Sequence, residues 1–126
     1  QGAGTVVNIA SIAGRQVYPG GNVYSATKAA VKQFSDSLQI DLNGTGVRVT
    51  NVDPGLVETE FSEVRFHGDT ERAKTVYERY TPLSGEDVAD VVVFAATRPP
   101  HVSIQDLLIT PTDQATAMIV DKKDQS

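Results

Sequence analysis

The sequence contains no cysteine among its 126 residues. Disulfide bonds, thiolate catalysis and zinc sites built on sulfur are therefore excluded. With 11 lysines and arginines against 16 aspartates and glutamates, the net charge is −5, so the basic excess that holds a phosphate backbone is missing. No apolar run approaches the roughly 20 residues that a membrane helix needs. We therefore expect neither nucleic acid nor a membrane as the main partner.

Two further absences concern the start of the chain and its compartment. No methionine, signal peptide or transit peptide stands at Gln1, and an apolar run begins within a few residues, so the sequence reads like a chain entered in the middle. The lack of cysteine suits a reducing compartment, and we expect a cytoplasmic protein. What is present, 40% hydrophobic and 21% charged residues, is typical of a folded globular domain.

Near the start of the sequence, two strand-like runs flank a long helical pattern. Thr5–Ala10 is β-branched and nearly continuously apolar, which is typical of a strand buried on both faces of a parallel sheet. Val23–Leu42 is predicted to be a helix that Asn22 could cap. Val47–Val52 reads as a second strand, ended by Asp53-Pro54-Gly55. The predicted buried face of the helix consists of Val23, Thr27, Ala30, Val31, Phe34, Leu38 and Leu42.

The later part of the sequence predicts one more helix and one more strand. Ser84-Gly85-Glu86-Asp87 resembles a capping sequence, with a hydroxyl at the cap and acids in the first turn. Val88–Thr97 is apolar nearly all round, which predicts a buried helix. Ile104–Ile109 is the third strand candidate. A helix that joins sequential strands makes them parallel, with a right-handed crossover in almost all proteins.

Tyr24 and Lys28 stand four residues apart on the predicted helix, which places them on one face, one turn apart. A free tyrosine, with a pKa near 10, is a poor proton donor or acceptor at neutral pH. One positive charge at ~5 Å and an effective dielectric of ~20 supplies roughly 3 kcal/mol in favour of the ionised phenol. The pair is therefore a candidate general acid/base. An isolated pair of this kind is more often a solvated surface pair.

Ser11 comes directly after the first predicted strand, at the edge where open α/β sheets bind ligands. Its hydroxyl could polarise a carbonyl that Tyr24 protonates, and Asp53-Pro54-Gly55 ends the next strand at the same edge. Each feature also has a plain structural interpretation, Ser11 as a turn serine bonded to its own backbone and Pro54-Gly55 as an ordinary turn. Their joint placement in one strand–helix–strand unit favours an active site.

Three motifs carry a family resemblance: Asn8-Ile9-Ala10-Ser11-Ile12-Ala13-Gly14, Tyr24-Ser25-Ala26-Thr27-Lys28-Ala29-Ala30 and Asp53-Pro54-Gly55-Leu56-Val57-Glu58-Thr59. Together they resemble the classical short-chain dehydrogenase/reductase family. Further segments resemble the subgroup acting on short 3-hydroxy acids such as serine; they are Tyr18–Tyr24, Val64–Asp69, Thr81–Leu83 and Thr110–Gln114. The resemblance implies an α/β fold, the C-terminal half of a Rossmann-like doubly wound parallel sheet with helices on both faces.

The resemblance also implies catalytic and substrate roles. Ser11 matches the serine that orients and polarises the carbonyl, Tyr24 matches the tyrosine that passes the proton, and Lys28 matches the lysine that assists it. Arg65 is a candidate partner for a substrate carboxylate, since arginine binds carboxylates in a fork; a surface ion pair with Glu60 or Glu63 is the alternative.

The cofactor that the resemblance implies is NADP or NAD, with NADP favoured by the subgroup. Tyr24 and Lys28 match residues at the nicotinamide ribose, and Pro54-Gly55 matches the turn beside the nicotinamide. Val57 matches a backbone contact to its carboxamide, and Thr59 matches a hydroxyl near the diphosphate. The cofactor performs the redox chemistry, while the protein supplies position and electrostatics.

Parts of the family's pattern do not occur in this sequence. It has no Gly-rich phosphate loop before a helix, and Gly2 and Gly4 do not qualify because a strand follows them. The residue that selects between the two dinucleotides and the family's catalytic asparagine are missing as well. We therefore expect the chain to leave one edge of its sheet unpaired, and on its own neither to bind the dinucleotide tightly nor to be stable.

The sequence thus predicts an NAD(P)-dependent oxidoreductase that interconverts a short hydroxy acid or similar alcohol and its carbonyl. Residues 1–60 would form the catalytic strand–helix–strand unit, 61–82 the substrate region, and 83–126 the last helix, strand and tail. Family analogy suggests a homotetramer. Two alternatives are an incomplete, non-catalytic half of such an enzyme, and a sugar-nucleotide epimerase or dehydratase, against which Pro54-Gly55 argues. His67 and His101 lack metal-ligand spacing, and no metal site is predicted.

Overall fold

The computed structural model describes residues 2–58 and 80–122. All the predicted strands and helices in these ranges are present. None of the described helices is long and apolar enough to cross a membrane. In chain order the elements are β1 (Gly4–Ile9), a 3₁₀ helix (Ile12–Gly14), α1 (Asn22–Asp41), β2 (Val47–Pro54), α2 (Gly85–Ala96) and β3 (Asp106–Ile109).

Within the described residues the sheet has three parallel strands in the order β1-β2-β3. The central strand β2 is buried along its last six residues, and Val49 and Val52 lie in the core. Among these strands β1 has β2 as its only neighbour, and Ile9 is 50% exposed. For the described residues, the prediction that the first strand is buried on both faces is therefore wrong. Among the described strands β3 likewise has β2 as its only neighbour, so β1 and β3 are both edge strands.

The two long helices lie on opposite faces of this sheet. On one face, the Asn8 side chain of β1 donates to Ser35 Oγ of α1 at 2.9 Å. On the other face, the Arg48 guanidinium of β2 donates to the carbonyl of Ala96, at the end of α2, at 2.9 Å. Asn8 is paired with Asn51, which points to the opposite face from Arg48 because side chains alternate along a strand. The fold is therefore α/β with helices on both faces, as the resemblance implies.

The face that α1 buries differs from the predicted one. Its buried residues are Ser25 and Ser35, whereas Val23 and Phe34 are 72% and 60% exposed. Ser35 Oγ accepts from Asn8 and donates to the Val31 carbonyl at 2.9 Å, so its buried hydroxyl is satisfied. Of the predicted face, Val31, Leu38 and Leu42 are partly buried, whereas Val23, Thr27, Ala30 and Phe34 are exposed.

The start of α1 also differs from the prediction that Asn22 caps it. Gly21 is the N-cap residue, without a side-chain hydrogen bond to the first turn, and Asn22 is already helical. The Asn22 side chain accepts from the N–H of Val23, only one residue away, at 2.7 Å. The first turn of α1 therefore has no side-chain cap.

Strand β2 continues two residues beyond the predicted end and includes Asp53 and Pro54. The N–H of Asn51 donates to the carbonyl of Gln105, directly before β3, at 2.9 Å, and the N–H of Gly55 donates to the carbonyl of Ile109 at 2.7 Å. Odd-numbered N–H groups of this strand therefore face β3 and even-numbered ones face β1. Pro54 takes a position that would donate toward β1, which has already ended at Ile9. No ladder hydrogen bond is lost there, which is why proline is tolerated.

Helix α2 begins with the predicted capping sequence. Ser84 and Asp87 form a capping box in which each side chain accepts a hydrogen bond from the backbone N–H of the other. The prediction that this helix is buried all round is wrong for the described chain. Only Ala95 is buried, and Val93 and Phe94 are at least half exposed, because the sheet covers one side of the helix.

The segment after β3, residues 111–121, folds back on itself; we call it the late segment. Gln114 and Val120 form an antiparallel bridge, and the N–H of Asp121 donates to the Asp113 carbonyl at 2.7 Å. The third strand itself is shorter than predicted, since it begins at Asp106 rather than at Ile104. The late segment lies at the carboxyl edge of the sheet, where the predicted site residues also lie.

Candidate active site

Ser11 occupies the position that links β1 to the 3₁₀ helix. It is buried, its backbone is extended, and its Oγ accepts a hydrogen bond from the N–H of Ala13 at 3.1 Å. This bond is the one expected if Ser11 is a turn serine bonded to the nearby backbone, the alternative to a catalytic role given above. The bond uses Oγ as an acceptor, however, and a hydroxyl that accepts can still donate its own proton. The contact therefore orients Ser11 and is compatible with donation to a carbonyl oxygen.

Tyr24 and Lys28 lie one turn apart at the start of α1. The Lys28 Nζ is 5.4 Å from the centroid of the Tyr24 ring, within the range of a cation–π contact. Both side chains are partly buried. The ammonium group thus stands beside the phenol on one helix face, at the separation that the four-residue spacing predicts.

Gly14 brings the turn after Ser11 against this part of α1. A Cβ on Gly14 would lie 2.8 Å from the Lys28 carbonyl carbon and 3.1 Å from the Ala29 nitrogen. Only glycine permits so close an approach of two backbones. The loop that follows Ser11 is therefore seated directly on the helical turn that follows Tyr24.

The turn of residues 54–57 stands at the carboxyl end of the neighbouring strand β2. The N–H of Leu56 donates to Gln114 Oε1 at 2.9 Å. Its carbonyl accepts from Leu83 at 3.0 Å, while the N–H of Glu58 donates to the Leu83 carbonyl at 2.8 Å. These bonds flank Val57, which forms a parallel bridge with Leu83. In such a bridge the N–H and C=O of Val57 are directed to the opposite side, away from Leu83.

An ion-pair network lies beneath the two turns, on the α1 face of the sheet. The Arg15 guanidinium donates to Asp53 Oδ2 at 2.6 Å and also to an oxygen of Asp106. Asp53 is fully buried, directly before Pro54. The Asn51 amide donates to Asp106 at 3.2 Å. Arg15 thus links the loop after Ser11 to the carboxyl end of β2 and to the first residue of β3.

Sequence reasoning missed three residues that shape this edge of the sheet: Gly14, Arg15 and Gln114. Gly14 and Gln114 stand within motifs that carry the family resemblance, but their roles depend on contacts with residues far along the chain. Arg15 carries no local signal for its partners 38 and 91 residues away. Two predicted site residues, Thr59 and Arg65, and most of the predicted substrate region 61–82, lie outside the described residues.

Comparison with known proteins identifies relatives of the chain. A family model described as short chain dehydrogenase matches residues 1–70. The NADP-dependent 3-hydroxy acid dehydrogenase of Schizosaccharomyces pombe is 49% identical over 120 residues, which is 95% of this chain and 46% of that protein. Sulfoacetaldehyde reductase 2 of Chromohalobacter salexigens is 50% identical over 123 residues, covering 96% of this chain and 49% of that protein.

The fold is shared with solved structures of related proteins. The closed form of a serine dehydrogenase complexed with NADP+ has a TM-score of 0.89 and 47% identity, covering 98% of this chain and 50% of that one. Serine dehydrogenase from Escherichia coli has a TM-score of 0.71 and 41% identity, covering 90% of this chain and 43% of that one. The chain therefore spans about half the length of the relatives it matches.

Proposed function

The chain belongs to the short chain dehydrogenase family, and on that premise we propose that it supplies the proton-transfer part of an NADP-dependent oxidoreductase. The observation that carries the proposal is the Lys28 ammonium 5.4 Å from the Tyr24 ring centroid, on the helical turn against which Gly14 seats the Ser11 loop. Proton transfer during carbonyl reduction needs three groups: a proton donor, a charge that stabilises the ionised form of that donor, and an oriented hydroxyl that polarises the carbonyl.

The three side chains have distinct roles in this proposal. Ser11 donates its hydroxyl proton in a hydrogen bond to the substrate oxygen, while one lone pair of its Oγ accepts from the N–H of Ala13 and fixes its orientation. Tyr24 transfers its phenolic proton to that oxygen during reduction and accepts it back during oxidation. Lys28 stabilises the ionised phenol of Tyr24 through its charge, and it also holds ribose hydroxyls of the cofactor.

The described residues fit the nicotinamide half of NADP. Val57 directs an N–H and a C=O away from Leu83, and such a pair matches the donor and acceptor of a carboxamide. Pro54 and Gly55 place this pair at the carboxyl edge of the sheet, where such folds bind dinucleotides. The bound cofactor supplies the two-electron redox step. Thr59 is proposed to contact the diphosphate, on the resemblance alone.

The proposed substrate is a short alcohol or carbonyl compound that carries an anionic group. The relatives' names include a 3-hydroxy acid dehydrogenase, a serine dehydrogenase and a sulfoacetaldehyde reductase. Each of the compounds in these names carries an anionic group, a carboxylate or a sulfonate, close to the carbon that is oxidised or reduced. Arg65 is the proposed partner of this group, because a guanidinium can donate two parallel hydrogen bonds to two oxygens of a carboxylate or of a tetrahedral oxyanion such as sulfonate.

The remaining proposals concern organisation. Residues 1–60 form the catalytic unit, 61–82 the substrate region and 83–126 the last helix, strand and tail. Val23 and Phe34 of α1, and Val93 and Phe94 of α2, expose apolar surface that other copies of the protein would cover in a homotetramer. Light scattering of the purified protein measures its mass directly, and a monomer would contradict this assembly.

The test of the function compares two tyrosines. In Tyr24→Phe we expect kcat to fall by about 10³-fold, because the proton donor is removed while the ring stays. Tyr18→Phe removes a hydroxyl from the nearby loop, where the ring packs on Gly21, and should keep near-normal turnover. NADPH absorbance is followed with sulfoacetaldehyde, and NADP reduction with serine and 3-hydroxypropionate. Substantial turnover by Tyr24→Phe would contradict the assigned role.

A further inference from the structure

The Leu56 amide has an unusual partner for a turn at the edge of a sheet. Its N–H donates to the side-chain oxygen of Gln114, 58 positions later in the chain, at 2.9 Å. Gln114 is only 4% exposed. The N–H groups of Gly55 and Glu58 and the C=O of Leu56, by contrast, bond to the backbone of Ile109 and Leu83.

Gly55 makes room for this contact. A Cβ on Gly55 would collide with Gln114 Oε1 and would lie 3.1 Å from both Gln114 Cδ and Thr110 Cγ2. The φ of Gly55 is not in the left-handed region, so backbone conformation alone does not require glycine at this position. The close approach of the glutamine side chain favours glycine, because an added Cβ would force Gln114 Oε1 to shift.

Gln114 is itself held in place before it reaches the turn. Its N–H donates to the Pro111 carbonyl at 3.0 Å, and it is bridged to Val120 across the late segment. The amide oxygen therefore approaches Leu56 from a fixed backbone. Leu56 directly precedes Val57. Its N–H is bonded to Gln114 and its C=O to Leu83, so both of its backbone polar groups are fixed.

We propose that Gln114 is a positioning residue that sets the orientation of the Val57 backbone pair toward the nicotinamide carboxamide. This inference rests on the proposed function. Gln114 makes no contact with the cofactor in this proposal; it acts through Leu56. The late segment thereby contributes to recognition of the nicotinamide ring, separately from recognition of the adenosine half.

The test uses a ligand pair that differs only in that ring. In the purified intact protein, Gln114→Met should weaken NADPH binding by about tenfold, which corresponds to about 1.4 kcal/mol. Binding of the nicotinamide-free fragment, 2′-phospho-ADP-ribose, should change by less than about twofold. Gln114→Glu keeps an oxygen acceptor in either protonation state and should restore most of the preference for NADPH.

Gln16→Met is the matched control. Gln16 also accepts a backbone N–H through its side-chain oxygen, from Ala117 of the late segment at 2.6 Å, but it does not contact the 54–57 turn in the described structure. Its replacement should reduce stability and leave the ratio of the two affinities unchanged. In the wild-type protein, NADPH should slow hydrogen exchange of the Leu56 amide more than 2′-phospho-ADP-ribose does.

The outcomes separate this inference from the proposed function. An unchanged affinity ratio in Gln114→Met, an equal change in Gln16→Met, or equal protection of Leu56 by the two ligands overturns the positioning role and leaves the function standing. An intact wild-type protein, not the isolated 126-residue chain, that fails to bind NADPH overturns the proposed function, and this inference with it.

Discussion

The two long helices of the described chain are positioned by different means. Helix α2 begins at a complete capping box of Ser84 and Asp87, so its own first turn fixes its start. Helix α1 has no side-chain cap. It is held by what packs on it, above all by the backbone of Gly14 against that of Lys28. The helix that carries Tyr24 and Lys28 therefore owes its position to tertiary contacts.

This difference has a consequence for mutation. Changes in the loop after Ser11 will alter the relation between Ser11 and Tyr24, because that loop is the support of α1. Changes at the start of α2 will remain local, because its cap is made within four residues. The largest effects on stability are therefore expected at positions that touch neither substrate nor cofactor.

Gly14→Ala should have the largest effect on stability. The added methyl meets the Lys28 backbone at 2.8 Å, and a backbone cannot turn aside as a side chain can, so we expect a loss of about 3 kcal/mol in the free energy of unfolding. Turnover should fall as well, because Ser11 shifts relative to Tyr24. Urea denaturation and kcat measure the two effects.

Gly85→Ala is the matched glycine substitution on the other helix. No atom lies within 4 Å of the Cβ that it would add, and alanine has a higher helix propensity than glycine. We expect the free energy of unfolding to stay the same or rise by about 0.5 kcal/mol. Equal losses in the two variants would remove the contrast between the helices.

Arg15→Met tests the second support of the same loop. It leaves the buried Asp53 carboxylate without its charged partner, and we expect a loss of about 2 kcal/mol on chemical denaturation. Lys32→Met removes the contacts of its Nζ with Asp36 at 3.1 Å and with Asp106 at 3.8 Å; because all three side chains are partly exposed to solvent, it should cost less than about 0.5 kcal/mol. A larger loss in Lys32→Met than in Arg15→Met would mean that α1, through Lys32, contributes more to this ion-pair network than Arg15 does.

Ser84→Ala should have the smallest effect, confined to α2. Loss of the cap costs about 1 kcal/mol, and turnover should not change. The exposed Ser37, whose hydroxyl bonds to none of the described residues, provides the control, since Ser37→Ala should be neutral or slightly stabilising. Thermal denaturation compares the two serines, and a fall in kcat with Ser84→Ala would contradict the local nature of this cap.

The same cap predicts a pH dependence. Hydrogen bonds from the Ser84 backbone, and then from its side chain, hold the pKa of Asp87 below its ordinary value of 3.8. A lowered folded pKa means that the stabilisation is present above the ordinary value and is lost as pH falls through the lowered one. Ser84→Ala removes only the side-chain bond, so we expect part of this acid-side loss to remain. Denaturation from pH 5 downward measures it.

Most element positions could be predicted from local pattern. The capping sequence at Ser84 and the long helical period after Asn22 are signals that lie within a few residues. The buried face of α1 could not be predicted, because burial of Ser35 depends on Asn8, 27 residues away. The strands follow each other across the sheet in the order β1-β2-β3, and two right-handed connections in that order would place α1 and α2 on the same face. The helices lie on opposite faces instead, which only the family resemblance implied.

The candidate site, like the fold, was predicted where its residues are related by local rules and missed where they are related by contacts between distant residues. Tyr24 and Lys28 are related by helical period, and Ser11 by the end of a strand, so their placement follows from short-range rules. The turn at Pro54 was predicted, but the anchor on Leu56 was not. Polar side chains such as Gln114 have no periodic signature, and their partners are set only when the chain is folded.

The hydrogen bond between Gln16 and Ala117 joins positions 101 residues apart. At typical rates of translation, Ala117 leaves the ribosome on the order of ten seconds after Gln16. During that interval Ser11, Gly14 and Tyr24 are already synthesised and can pack locally, while the late segment does not yet exist. The order of synthesis therefore makes the proton-transfer groups available for packing before the late segment can bond to Gln16 at the carboxyl edge of the sheet.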